Sequence, residues 1–186
     1  MSDSRGFPSS MIEFFSFVSK LKKTKRTGWV NNGISDPESI ADHMYRAAIM
    51  ALVSPLPLGV DRDRCIRMAL VHDLAESIVG DITPFDGIPD NEKHSMERHA
   101  MMVLGEFLDE SVAIEINQLW EEYEQGQSPE AKYVKDIDKL EMLLQASEYE
   151  IDQNKQLDSF FESTLGKIKS ECFAKIDAQL RKDRQK

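Results

Sequence analysis

A chain of 186 residues is long enough for one sizeable core and too short for two comfortable domains, so a single compact domain is expected over 1–186. Its 33 acidic against 23 basic residues give a net charge of −10, which opposes binding to a nucleic-acid polymer but not to a small phosphorylated substrate. No apolar run reaches transmembrane length and no charged-then-apolar leader opens the chain. Neither membrane insertion nor secretion is expected, and Cys65 and Cys172, which lack metal-type spacing, fit a reducing cytoplasmic or nuclear compartment.

Residues 1–8 carry Ser, Asp, Gly and Pro and are expected to fray. From about Ser10, Met11, Phe14, Phe15, Val18 and Leu21 recur at three- and four-residue spacing, which predicts an amphipathic helix. The run from Lys20 to Arg26 is the one strongly cationic stretch; it reads either as a solvated helix end favoured by the macrodipole or as a receiver of phosphate. Gly28 and Gly33 punctuate a predicted loop over 27–33. Asp36-Pro37-Glu38 then supplies a cap, a first-turn proline and an early acid for a second helix to about Val53, with His43 on the inward stripe of Ile40, Met44, Ala47 and Ala51.

After the Pro55-to-Gly59 break, Asp61 caps a third predicted helix to about Val79, with Ile66, Ala69, Leu70 and Leu74 facing inward and His72, Asp73 and Glu76 in its last two turns. Gly80 ends it and opens a loop through Pro89, followed by helices over about 91–108 and 111–124. Ser128-Pro129-Glu130 launches a long helix to about Ile151, whose stripe runs through Val134, Ile137, Leu140, Glu141 and Leu144. Asp138, four residues after Val134 and four before Met142, faces the interior or its edge; Glu141, although it falls along the stripe, is read with Asp136 as solvated. A closing helical region starts near Phe160, and 181–186 is a polar tail. No internal repeat and no convincing strand is visible.

His43, His72, Asp73 and Asp138 are therefore potential metal ligands on three separate helix-patterned segments, each placed where the pattern asks for an apolar residue. Burying two imidazoles and two carboxylates without partners would be costly, and a bound cation compensates them. The mixed nitrogen and oxygen set suits Mn, Fe, Co, Ni or Zn better than Ca, and a cation with open positions turns water into a nucleophile suited to phosphate-ester hydrolysis. Glu76, four residues after His72 and three after Asp73, shares their face and would stand beside the ion. His94 and His99 diverge by about 140° on one helix and are read as ordinary. Trp120, Tyr123, Phe160 and Phe161 are read as core or subunit contact.

The order His43, His72-Asp73, Asp138 resembles the signature of the HD-domain metal-dependent phosphohydrolases. The blocks around it, Arg26-Thr27-Gly28-Trp29-Val30, Pro37-Glu38-Ser39-Ile40-Ala41-Asp42-His43, Ala69-Leu70-Val71-His72-Asp73-Leu74-Ala75-Glu76, Val79-Gly80-Asp81-Ile82 and Leu119-Trp120-Glu121-Glu122-Tyr123-Glu124, are similar to the YfbR-like 5′-deoxynucleotidases over about 14–164. The resemblance implies an all-α helical bundle with its HD core over about 10–165, hydrolysis of deoxyribonucleoside 5′-monophosphates, and a divalent cation (Co, Mn, Mg or Zn) held by His43, His72, Asp73 and Asp138. It also implies that Glu76 delivers a proton to the leaving 5′ oxygen, and that Asp81 is a second active-site acid, binding a second ion with Glu76 and the Ile82 carbonyl.

Arg26 and Trp29 match the family's phosphate- and nucleotide-facing loop, although their spacing departs from the adjacent Arg-Trp of bacterial members. Trp29 reads alternatively as a core cover residue. A homodimer is expected from the family. Two other readings remain open from the residues alone: hydrolysis of another nucleotide, and a noncatalytic metal-stabilised interaction module.

Overall fold

Prolines, glycines and short polar caps partition the chain into helices, and the computed structural model describes them for residues 6–184. Among these residues there is no strand, only an isolated antiparallel bridge between Lys25 and Ser39. Helix α1 (Phe7–Leu21) starts with a proline in its first turn, so Phe7 and Pro8 are helical rather than frayed, while residues 1–5 lie outside the described part. The expected loop over 27–33 contains a short helix, α2 (Thr27–Asn31), whose first N–H is taken by the Asp81 side chain and which Gly33 terminates at φ 66°.

Helix α3 (Ile40–Val53) begins later than the Asp36 signal suggested. Ser39 and Asp42 form a reciprocal capping box at its start. The preceding residues are held extended instead, because the Arg26 N–H donates to the Glu38 carbonyl and the Ile40 N–H to the Thr24 carbonyl. The single helix expected over 61–79 is divided. Helix α4 (Arg62–Val71) stops before His72, and α5 (Glu76–Val79) runs to Gly80 at φ 78°. Between them Leu74 donates to Val71 and Glu76 to Asp73 across three residues, a tighter winding that brings positions three apart into register.

A 3-10 turn (Pro84–Asp86) precedes α6 (Asp90–Gly105), α7 (Glu110–Gln125), α8 (Pro129–Gln153), α9 (Asp158–Thr164) and α10 (Glu171–Arg184). The polar tail expected from Arg181 onward is helical through Arg184: Arg181 pairs with Asp177, and Arg184 with Glu150 and Asp158. Asp136, expected to be solvated, is buried because it accepts hydrogen bonds from the Lys169 and Ser170 N–H groups and the Ser170 hydroxyl, tying α8 to the segment before α10.

Helix α3 is the hinge of the packing, lying against α4 and α8. Its buried Ala47, Ala48 and Ala51 meet the equally small Ala69 and Cys65 of α4 in the larger core cluster, so the two helices approach closely. Helix α8 completes that cluster with Val134, Ile137, Leu140 and Leu143. Ile40 and Met44 at the other end of α3 join Leu74, Met101, Leu104 and Trp120 in a second cluster beneath α1 and α6. His43 sits between the two clusters on α3, and the turn after α4 and the middle of α8 converge on it. No described helix is long and apolar enough to cross a membrane.

Candidate active site

Four polar side chains from three elements meet at His43. Its Nε2 lies 3.2 Å from His72 Nε2, 3.3 Å from Asp138 Oδ1 and 3.7 Å from Asp73 Oδ2, while His72 Nε2 is 3.3 Å from the same Asp73 oxygen. Both imidazoles are buried, and the Asp138 side chain is 29% exposed, so the cluster has a closed side and an open one. His72 and Asp73 lie at the break between α4 and α5, where the chain leaves the α-helical winding, and both contribute to the cluster.

The outer nitrogens decide what the cluster can hold. His72 Nδ1 is 2.9 Å from the Ala69 carbonyl, which only accepts, so Nδ1 carries the proton and a neutral ring presents a lone pair at Nε2. His43 Nδ1 makes a short hydrogen bond to the Glu141 carboxylate, so its Nε2 lone pair also points inward. Two lone pairs facing each other at 3.2 Å repel unless a positive charge lies between them. Burial and the Arg26 charge lower the His43 imidazole's affinity for a proton, yet Asp138 and Glu141 outweigh them and push its pKa up to about 10. The surroundings thus demand a cation at this spot, and a divalent metal ion meets the demand while displacing the proton. Despite the cost of burial, His43, His72 and Arg26 hold the Asp138 carboxyl ionised, well below the usual carboxylate range; His72 and Arg26 do the same for Asp73. The donor atoms of His43, His72 and Asp73 lie within 4.8 Å of one another, and Asp138 joins them through its 3.3 Å approach to His43, a set of nitrogen and oxygen donors that fits a divalent cation.

Residues expected to lie elsewhere orient these ligands. Glu141 is not solvated. It is fully buried between His43 Nδ1 and Arg46, whose Nε donates to it at 2.7 Å. Its position three residues after Asp138, within the apolar stripe of α8, was the available signal, since a carboxylate on such a stripe must find a buried partner. Tyr123 is a core aromatic with a further contact: its hydroxyl donates to Asp138 Oδ2 at 2.9 Å while its ring packs on His72. His94 stacks on Trp120 and His99 is exposed, both away from the ligand cluster.

Charged groups surround the open side. Arg26 Nη1 is 3.4 Å from Asp73 Oδ2, and the carboxylates of Asp73, Asp138 and Asp81 keep the guanidinium protonated against its burial. Glu76 is buried, and its Oε2 has no hydrogen-bond partner. Burial, then the negative charges of Asp73 and Asp81, raise its carboxyl well above 4.5, which favours the protonated form. Asp81 accepts from the Thr27 N–H, and the Ile82 carbonyl accepts from Lys93 Nζ at 2.9 Å.

Arg26 and Asp81 open onto a cleft of about 220 Å³ walled by Trp29, Met142, Phe85 and Phe160. Trp29 is 1% exposed, its indole N–H donates to Glu38, and Phe160 packs on it at 4.5 Å between ring centroids. It is therefore both a core residue and a cleft wall. Phe160 is correspondingly more than a core or subunit contact.

Residues 18–179 match the family model described as HD domain. The chain belongs to the HD domain family. This HD-domain protein is 47% identical over 177 residues to the 5′-deoxynucleotidase HDDC2 of Bos taurus, covering 94% of this chain and 86% of the relative. It is 45% identical over 189 residues to the 5′-deoxynucleotidase HDDC2 of Dictyostelium discoideum, covering 95% and 100%. Among solved structures, the PH0347 protein of Pyrococcus horikoshii superposes with a TM-score of 0.73 at 34% identity, covering 92% of this chain and 96% of the other. The helix-by-helix convergence of His43, His72, Asp73 and Asp138 is thus set in an HD-domain fold over nearly the whole described chain.

Proposed function

We propose that this protein is a metal-dependent 5′-deoxynucleotidase, hydrolysing deoxyribonucleoside 5′-monophosphates to deoxynucleoside and phosphate. The observation that carries the reading is the junction of a cation-demanding His/Asp cluster with a cleft that presents the Arg26 guanidinium beside Asp81 at one end and aromatic rings at the other. The names of the curated relatives support the same substrate. His43, His72, Asp73 and Asp138 would hold a divalent cation, which would supply Lewis acidity that makes hydroxide available as a nucleophile near neutral pH.

The chain's own groups do the rest. Arg26 donates to the phosphoryl oxygens and offsets their charge, a role that its salt bridge to Asp73 keeps positioned beside the cluster. As the bond from phosphorus to the 5′ oxygen breaks, Glu76, held protonated beside Asp73, gives its proton to that oxygen. Glu141 and Tyr123 fix the ring of His43 and the carboxylate of Asp138, so the ligand geometry is preset before substrate arrives. Asp81 acts by capping α2, which holds Arg26 and Trp29 at the cleft mouth.

The test is phosphate release from deoxy- and ribonucleoside monophosphates by chelated protein resupplied in turn with Co, Mn, Mg or Zn. Hydrolysis restored by at least one cation, with preference for the deoxy substrates, is the expected result. Metal-independent release, or no release from any monophosphate, would sink the proposal.

A further inference from the structure

The cleft beside the ligand cluster is amphipathic along its length. Arg26 and Asp81 border one part, while Phe85, Met142, Phe160 and Pro84 supply apolar surface to the rest. Thr83 is the other polar side chain in the wall, and its hydroxyl is already engaged with Asp86 and the Phe85 N–H. A ligand in the apolar part would be held by contact and stacking, because no free side-chain donor or acceptor is offered to its edges.

Two aromatic residues there are placed in unusual ways. Phe160, in the short α9, packs on Trp29 with an interplanar angle of 31°, so the buried indole backs one side of its ring. Gly28 lies against the edge of the same ring, where a Cβ would stand in ordinary contact at 3.4 Å. Phe85 is 84% exposed on the 3-10 turn, yet that turn is held by the Thr83/Asp86 capping box and closed by Gly87 at φ 71°. A large apolar ring on so defined a turn leaves hydrophobic surface in water that a planar ligand would cover.

Resting on the 5′-monophosphate reading above, we propose that the nucleobase docks in this apolar part of the cleft, with Phe160 as its stacking surface and Phe85 as its cover. The arrangement matches a nucleoside monophosphate end to end: the charged phosphoryl group at Arg26 and the ligand cluster, the flat base against the rings. Phe160 and Phe85 are binding residues, remote from the bond that breaks, so they contribute equally to substrate and transition state. Their loss raises KM and leaves kcat unchanged.

The experiment uses the full metal-loaded protein with Phe85→Ala and Phe160→Leu. Because Phe85 is exposed, its replacement removes no core packing, and Phe160→Leu keeps bulk against Trp29 while removing the π-face. Three quantities are read: KM and kcat for deoxyadenosine 5′-monophosphate, the inhibition constant of inorganic phosphate, and the dissociation constant of deoxyadenosine by titration calorimetry. In each variant KM and the deoxyadenosine constant rise at least about fivefold, as expected for loss of one base-stacking contact. The inhibition constant of phosphate and kcat stay at wild-type values. Deoxyadenosine binding that is undetectable in the wild type or equal in all three proteins, or a phosphate constant that shifts in step, overturns the clamp. Absence of hydrolysis by the wild type would instead count against the nucleotidase reading alone, since calorimetry reports base binding without turnover.

Discussion

Replacing Glu141 by Gln isolates how far the ligand geometry depends on a residue that stands behind His43 and is not one of the four proposed ligands. The side chain is fully buried, accepts from His43 Nδ1 on one oxygen and from Arg46 Nε at 2.7 Å on the other. Glutamine keeps the shape and can still accept one hydrogen bond through its carbonyl, but its amide group donates where Arg46 also donates, and the negative charge that raises the basicity of His43 is gone. Removal of such a partner of a metal-ligating histidine costs about 10- to 100-fold in metal affinity, or about 1.4–2.8 kcal/mol.

The cost to the fold is smaller than for a sealed ion pair. The Arg46 side chain is 30% exposed and retains Glu148 at 2.8 Å and Gln145 at 2.9 Å, so its charge is not stranded. We therefore expect about 2 kcal/mol of destabilisation, near the value of one charged hydrogen bond rather than of a broken buried pair. Metal affinity would be measured by competition against a chromogenic chelator, and stability by denaturant unfolding of the metal-free protein. A folded Glu141→Gln protein that binds the cation as tightly as the wild type would refute the claim that Glu141 sets the His43 ring.

Other perturbations separate the roles of neighbouring groups. Asp73→Ala is expected to lose both metal and turnover, whereas Glu76→Gln retains metal by the same chelator assay and loses about 100-fold or more in kcat, the usual range for removing a general acid; full activity in metal-loaded Glu76→Gln would reject its assigned role. Chelation is expected to lower the melting temperature, because a ligand present at 100 times its dissociation constant stabilises the native state by about 2.7 kcal/mol; an unchanged melting curve would mean that no cation binds the folded state selectively. Burial raises the Glu150 carboxyl, but the Arg184 and Leu157 hydrogen bonds and the Arg184 charge bring it below 4.5 on balance. Its contribution is then present above pH 4.5 and lost as pH falls through the depressed value, so the difference in melting temperature between wild type and Glu150→Gln should be steady near neutrality and close on acidification below pH 4.5. A gap that widens in acid would contradict the pairing.

Much of this architecture is written in local pattern. The apolar stripes of α1, α3 and α8, the Ser128-Pro129 start and the Gly80 stop are all read from spacing and cap chemistry, because helix ends and faces are decided by residues within a turn or two. His43 and Asp138 stood out for the same reason: each is polar at an inward position. Local reasoning failed where distant chain segments compete for the same backbone. Asp36 has the chemistry of a cap, yet pairing of residues 37–39 with 24–26 hands that task to Ser39. The helix expected through His72 is interrupted at 72–75, where Leu74 bonds back to Val71 and Glu76 to Asp73, and an unbroken helical period does not predict that break.

By itself the sequence determined that the chain would be helical, where most helices would run, and that two histidines and two aspartates would be forced inward with a charge problem to solve. Only the tertiary structure decided the solution. It set Glu141 behind His43, Tyr123 behind Asp138 and Phe160 against Trp29, pairs drawn from elements far apart in the chain. Such pairings depend on how helices cross rather than on which residues make them helical, and that information resides in packing, where a carboxylate's fate turns on whether its neighbour is water or an imidazole.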